Sequence, residues 1–485
     1  MEFHVNRILS VRFVAKIVFL RPRLDIPVPM PYPHHGIGYV ASILRENGHE
    51  VHFIDCAILN QPYSQISRQV ESLKPDAVGI TAISANYSGM KKLSQMLHKR
   101  NIPIILGGIH VTTLPELSLR ETKADFAVLG EGELTILELM NNWQDKEKRK
   151  QIKGIAYIEN DQFIKNPDRE LIQNLDELPF PAWDLINPLK YSFKFVYFRT
   201  KRLPTAVIFT SRGCPHSCAF CASTQFWKHQ FRKRSPQKVV DEIEYLAREY
   251  GIREIQIGDD YFNYDKQHVI EICREILRRK LDLTFQCTNG LRIENIDRNL
   301  LTIMRKTGFY EITIAVESGS QSILNSINKG LNLKKLTEAV KLAKSLGFFL
   351  QGFLIFGLPG ETYKTVRRSI QFMKSLPFDV VGWFTAKPLP GSRMFDQWVR
   401  DKDPSKINYD WFHFVDVGVA LEYSDGKRTI KLPKDAVKEY LLRPRQLLRY
   451  LKFWIHTFHF KESLAPLGRL YLLPQYSVVN KTQNQ

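Results

Sequence analysis

Cys214, Cys218 and Cys221 stand in a C-x3-C-x2-C spacing, Cys214-Pro-His-Ser-Cys218-Ala-Phe-Cys221, just after the apolar run Ala206 to Phe209. Three thiolates on one loop can hold three irons of a [4Fe-4S] cluster, and no fourth cysteine sits nearby for the last iron. An open coordination position makes such a metal an agent of chemistry, as it does for catalytic as opposed to structural zinc. Zinc itself would need His216 as a ligand, but His216 is interposed in the loop and lacks a regular ligand spacing. Four further segments carry ligand-binding residue types. They are Gly258-Asp259-Asp260, Glu317-Ser318-Gly319, the run from Gly352 through Gly357-Leu-Pro-Gly360-Glu361, and Leu389-Pro-Gly391-Ser392. Glycines let a backbone approach a ligand, and carboxylates accept hydrogen bonds from hydroxyls. Plainer uses compete: Asp259 and Asp260 suit helix caps before Asn263, and Glu317 with its Ser-Gly neighbours suits a surface turn.

Each segment follows a short apolar run. From Thr205 to about Met394 the runs Ala206 to Phe209, Glu254 to Ile257, Thr284 to Cys287, Glu311 to Val316, Phe349 to Phe356 and Val380 to Thr385 alternate with helical patterns. Six βα units of this kind make a partial (β/α) TIM-type barrel, whose chemistry sits at the carboxyl ends of the strands. Upstream, Ile17 to Leu20, Val51 to Ile54, Ala77 to Thr81, Ile102 to Leu106 and Phe126 to Leu129 form a second alternation. It predicts a Rossmann-like, five-stranded, doubly wound parallel sheet with Gly107-Gly108 and Gly130-Glu131-Gly132-Glu133 at its ligand-binding ends, or with those glycines serving tight turns only.

The boundaries expected are residues 1–150 for the first domain, 151–200 for a linker, 201–396 for the barrel and 397–485 for a carboxyl-terminal region. Within the linker, Gly154 to Lys165 reads as a hairpin around Asn160-Asp161, and Leu178-Pro-Phe-Pro-Ala-Trp183 is denied regular helix by its prolines. Between Lys427 and Arg469 eleven Lys or Arg face three Asp or Glu, interleaved with Leu441, Leu442, Leu447, Leu448, Tyr450, Phe453, Trp454 and Phe460. A basic helix of this kind lies on an anionic membrane, covers a greasy substrate or simply docks on the barrel.

The 485 residues, 44% hydrophobic and 25% charged, exclude a small module and wholesale disorder. Six cysteines are too few for a secreted disulfide scaffold and fit a reducing cytoplasm. No apolar stretch reaches the roughly 18–20 residues of a membrane span. The formal charge of +19 favours an anionic partner. Trp227-Lys228 and Phe231-Arg-Lys-Arg-Ser235 mix basic and aromatic residues, but no nucleic-acid module is readable, so nucleic acid is disfavoured. Cys56 and Cys273 read as core, whereas Cys287, at the end of its strand, reads as core or as facing the barrel mouth.

The triplet and its ordered followers resemble the radical S-adenosylmethionine (SAM) superfamily. The resemblance implies a [4Fe-4S] cluster on Cys214, Cys218 and Cys221, and SAM near Phe220, Gly258, Asp259, Asp260, Glu317, Ser318, Gly319, Gly357 and Gly360. Pro31-Tyr-Pro-His-His-Gly36-Ile-Gly38-Tyr39, Gly107-Gly-Ile-His110-Val111 and Gly130-Glu-Gly-Glu133 resemble the cobalamin-binding domain fused ahead of many such enzymes. That implies cobalamin against Thr81, Ser84, Gly107, Gly108, Gly130 and Gly132. The D-x-H-x-x-G loop that supplies a lower histidine to cobalt elsewhere is missing, and His34-His35 does not reproduce it; His34, His35 and His110 are the remaining candidate cobalt ligands. The family further implies an external electron donor of flavodoxin or ferredoxin type, and methylation of an unactivated carbon of a small or lipid-like, hydrophobic or anionic substrate. A cyclase or rearrangement enzyme using the same cofactors is the rival, and a non-catalytic redox protein is the rival from another class.

Overall fold

The computed structural model describes residues 13–24, 32–59, 61–192, 200–412, 421–426, 428–444 and 446–449. Packing divides the chain into two units, residues 1–187 with 399–412 and residues 188–398 with 413–485.

In the first unit, β1 (Lys16–Arg21), β2 (Glu50–Asp55), β3 (Ala77–Thr81), β4 (Ile104–Gly107) and β5 (Phe126–Val128) are parallel, in spatial order 2-1-3-4-5. These strands are apolar on both faces because helices cover both sides, as parallel sheets require. The order reverses between β1 and β3, which opens a crevice at their carboxyl ends. The sheet is seven-stranded rather than five. β6 (Ile155–Glu159) and β7 (Gln162–Lys165) add antiparallel to β5, turning through Asn160 and Asp161 at φ +48° and +62°. The expected linker is therefore largely part of this unit. Trp183 is buried, Ala182 N donates to Gly38 O at 3.0 Å, and a Cβ on Gly38 would lie 2.7 Å from Ile186 and 2.8 Å from Pro181.

The second unit holds β8 (Thr205–Ile208), β9 (Glu254–Ile257), β10 (Thr284–Leu291), β11 (Phe309–Glu317), β12 (Phe349–Phe356) and β13 (Val380–Thr385). All six are parallel and lie side by side in chain order. Ser235, Asp265, Asp297, Asn332 and Thr362 each accept a backbone N–H at the start of a covering helix. The helix after β9 is thus capped by Asp265, which removes the capping role from Asp259 and Asp260. Register breaks by a bulge between Ala315 and Glu317, and Glu317 takes φ +63°. A bulge at a strand end re-aims the side chain it carries.

An antiparallel pair, β14 (Leu421–Ser424) and β15 (Thr429–Leu432), leads into the helix Lys434–Leu441. That helix docks on the barrel. Glu439 meets Arg367 at 2.5 Å and Lys374 at 2.7 Å, and the buried Tyr440 donates to Phe378 O at 2.9 Å. Leu442, Leu447 and Leu448 are exposed, and Tyr450, Phe453, Trp454 and Phe460 lie outside the described residues.

Candidate active site

β8 delivers the chain into the cysteine loop, and Asp259 at the end of β9 fixes that delivery. Its carboxyl accepts from Thr210 N at 2.7 Å, Thr210 Oγ1 at 2.5 Å and Ser211 Oγ at 2.6 Å. The group is buried, and burial pushes it up to about 6 against the opposing bonds from Ser211 and Thr210. Asp259 is thus occupied within the protein. Its neighbour Asp260 has an exposed surface yet is walled by Ser223, Trp227 and Gly213, and burial raises it. Gly258 serves packing, since a Cβ there would lie 2.9 Å from Val207.

The loop is tied down along its length. Gly213 has φ +88°, and a Cβ there would overlap the Gln230 carbonyl. Ala219 N donates to Ile327 O at 2.9 Å, and Met394 N to Ala219 O at 2.9 Å. All three cysteines are unbridged; burial raises Cys214 and pushes Cys221 up to about 12, so a bound cation is what would hold them as thiolates. Among the described residues no three His, Cys, Asp or Glu side chains converge as a single metal ion requires. His216 instead lies against Tyr261, ring centroids 5.4 Å apart.

Two cations that the motifs did not single out face this loop. Lys329 is buried, with Nζ 2.7 Å from Glu317 Oε1 and 5.9 Å from the Phe220 ring centre. Burial lowers Lys329, but Glu317 and Cys218 outweigh it and raise the group overall. Arg292 donates to Lys329 O at 2.8 Å and lies 5.7 Å from the Tyr261 ring centre. Their positive charge suits a cluster carrying thiolates. Neither residue belongs to a recognisable spacing, so only the folded proximity reveals them. Glu317 is one of the residues expected near SAM, and here one of its oxygens is held by Lys329.

The remaining SAM candidates divide by what surrounds them. Ser318 Oγ lies 3.1 Å from Ser369 Oγ, and a Cβ on Gly319 would lie 2.7 Å from Ser369 Cα. Both are committed to packing against the helix Tyr363–Ser375. Gly357 and Gly360 adopt φ +85° and +82°, and their turn is closed by Glu361, whose Oε2 accepts from Gly357 N at 2.7 Å and Leu358 N at 3.3 Å. Burial pushes Glu361 up to about 7, opposed by Gly357, Tyr423 and Leu358. Cys287 is buried within β10, which runs on to Leu291, and pairs in register with Ile257 at the end of β9. In the basic run after the loop, Arg232 is buried near Trp227 and Arg234 pairs with buried Glu242 at 2.5 Å, so these cations are drawn inward.

In the first unit Thr81 pairs in register with Gly107 at the crevice. Among the described residues, a Cβ on Gly107 or on Gly130 would meet nothing within 4 Å, so no described neighbour fills the space beyond the ends of β4 and β5. Gly108 differs: at φ +96° its Cβ would lie 2.5 Å from Ala82 O and 2.7 Å from Thr81 Oγ1. Gly130 N donates to Thr112 Oγ1 at 3.0 Å, and Gly132 has only Val128 and Val40 nearby, at 3.6 and 3.7 Å. The cradle at Gly107 and Gly130 fits a flat cofactor and its tail. Ser84 Oγ and buried His110 Nδ1 share a hydrogen bond at 3.0 Å, while His110 Nε2 has no hydrogen-bond partner among the described residues. His34 Nδ1 accepts from Ile37 N at 3.1 Å as a helix cap, and His35 meets Trp183 edge-on. Tyr409, returning from beyond the barrel strands, packs 4.8 Å from the His110 ring.

A three-cysteine loop on a parallel six-stranded barrel, with a separate crevice-bearing sheet, defines an α/β protein with two candidate cofactor-binding regions. Residues 26–140 match the B12 binding domain family and residues 208–373 the radical SAM superfamily. The chain is 34% identical over 90% of its length, and 94% of the relative's, to an uncharacterised methyltransferase of Pyrococcus horikoshii. It is 30% identical to the cytidylyl-2-hydroxyethylphosphonate methyltransferase of Streptomyces wedmorensis, covering 82% of this chain and 85% of that one. The solved structure of the radical SAM methyltransferase TsrM from Kitasatospora setae, with cobalamin and a [4Fe-4S] cluster bound, superposes with a TM-score of 0.69 at 18% identity, over 81% of this chain and 80% of that one. This likeness is one of fold. The chain belongs to the cobalamin-dependent radical SAM family. It is an enzyme whose cofactors are a [4Fe-4S] cluster, SAM and cobalamin. Among the described residues no helix is long and apolar enough to cross a membrane.

Proposed function

We propose that the enzyme methylates an unactivated carbon centre of a hydrophobic or anionic small molecule. The observation that carries this is similarity along nearly the whole chain to two relatives named as methyltransferases. When bound, the cluster and SAM supply a 5′-deoxyadenosyl radical and cobalamin supplies a methyl carrier. Cys214, Cys218 and Cys221 hold the cluster. Lys329 and Arg292 offset its charge, Asp259 fixes the entry to the loop, and Asp260 and the Gly357–Gly360 turn border SAM. Phe220, beside Lys329, offers an aromatic face to the adenine. Thr81, Gly107 and Gly130 border the cobalamin cradle, Gly108 and Gly132 shape its turns, and Ser84 acts through His110. An external flavodoxin- or ferredoxin-type donor supplies the electron.

The test is product analysis on the anaerobic holoenzyme with candidate substrates. Methylation yields S-adenosylhomocysteine beside 5′-deoxyadenosine; a cyclase yields 5′-deoxyadenosine alone; a redox relay yields neither. Cys218→Ala should lose both cluster iron and SAM cleavage, and retained cleavage refutes the site.

A further inference from the structure

The family match in the barrel ends at residue 373, yet the β14–β15 hairpin reaches back to the turn after β12. Tyr423 Oη donates to Glu361 Oε2 at 3.1 Å, the same oxygen that receives Gly357 N and Leu358 N. Leu421 closes over the turn, its Cδ1 3.0 Å from where a Gly357 Cβ would stand. The hairpin is itself anchored: Ile430 and Leu432 are buried, and the following helix is held by Glu439, Tyr440 and the Arg443 bond to Lys374 O at 2.6 Å. Three donors therefore converge on one carboxyl oxygen, and two of them belong to the backbone of a turn in the left-handed region. Glycine takes this conformation as readily as others, so the bonds to Glu361 are what select it.

We propose that the hairpin is a brace and that Tyr423 is a positioning residue, acting through Glu361 to hold the Gly357–Gly360 backbone in the shape that receives SAM. This rests on the reading that the turn borders SAM.

The experiment uses full-length enzyme with cluster and cobalamin loaded. Tyr423→Phe should speed hydrogen exchange of the 357–361 backbone without SAM. It should weaken SAM binding in equilibrium dialysis about three- to tenfold, the effect of one hydrogen bond to a carboxyl. KM for SAM should rise with kcat at saturating SAM and iron content unchanged. Glu422→Gln, an exposed position on the same strand, should change none of these. Should Tyr423→Phe fold poorly, the cycle is closed on Glu361→Gln, to which Tyr423→Phe should add nothing further. Unchanged exchange in Tyr423→Phe overturns the brace. Faster exchange with unchanged SAM affinity overturns the placement of SAM on this turn instead, and additive effects of the two substitutions overturn the route through Glu361.

Discussion

Substituting Asp259 separates a structural carboxyl from a ligand-binding one. The side chain is 1% exposed and accepts three hydrogen bonds from Thr210 and Ser211. Asp259→Ala orphans one backbone N–H and two hydroxyls. At about 1–3 kcal/mol for each buried group left unsatisfied, and with the hydroxyls free to rotate, the loss is about 3 kcal/mol. Asp259→Asn keeps an acceptor for Thr210 N, and the rotated hydroxyls can accept from its amide, so the loss near neutral pH is about 1 kcal/mol or less.

The pH dependence sharpens the case. Burial raises this carboxyl from 3.8 to about 6, so between those values the folded state binds more protons than the unfolded state. Stability falls as pH rises through that window and is flat above it. At about 1.4 kcal/mol per unit, wild type loses about 1.4 kcal/mol between pH 5 and the plateau, and the amide variant does not share this loss. Urea titrations at pH 5 and pH 7.5, followed by tryptophan fluorescence, should show the Asp259→Asn deficit shrinking by about that amount. SAM binding should survive in the Asn variant. A variant that keeps wild-type stability and cluster iron yet fails to bind SAM would falsify the structural role and return Asp259 to the ligand.

Lys329→Met leaves Glu317 buried without its partner and should cost about 3–5 kcal/mol, much of it regained by adding Glu317→Leu; thermal denaturation of the two variants checks this, and a single-variant loss below about 1 kcal/mol refutes it. Gly107→Leu, placed in open space at an ordinary φ, should leave the unfolding midpoint within about 0.5 kcal/mol of wild type while cobalt per chain falls severalfold. Gly108→Ala should destabilise the fold by more than about 1 kcal/mol, because its φ is +96° and its Cβ collides with Ala82 O. Replacing exposed Leu442, Leu447 and Leu448 by Ser should reduce co-sedimentation with anionic liposomes if the basic tail touches membranes, and unchanged sedimentation argues against that role.

The strands were legible because parallel, doubly covered strands are short apolar runs, and the runs from Ile17 to Phe126 and from Ala206 to Val380 coincide with β1–β5 and β8–β13. The β6–β7 hairpin was legible from Asn160-Asp161, but its pairing with β5 was not, since a hairpin does not announce which edge it joins. The return of residues 399–412 to the first unit left no local signal, because Tyr409 finds His110 only through the fold. The same limit hid Lys329 and Arg292, whose importance lies in long-range neighbours.

Within the motifs, residue type identified the segment but not the individual ligand. Asp259 and Asp260 are adjacent and chemically equal, yet one is spent on Thr210 and Ser211 while the other keeps an exposed surface. The glycines divide by the same physical criterion. At Gly258, Gly319 and Gly352 a Cβ would strike a neighbour at 2.9 Å or less, so the glycine serves close packing, against the adjacent strand at Gly258 and against the helix Tyr363–Ser375 at Gly319 and Gly352. At Gly107 and Gly130 a Cβ would meet open space at a sheet's ligand-binding end. Gly130 also takes φ +71°, which glycine adopts freely; at Gly107 no described neighbour requires glycine, and the proposed cobalamin against the backbone would supply the reason that packing does not.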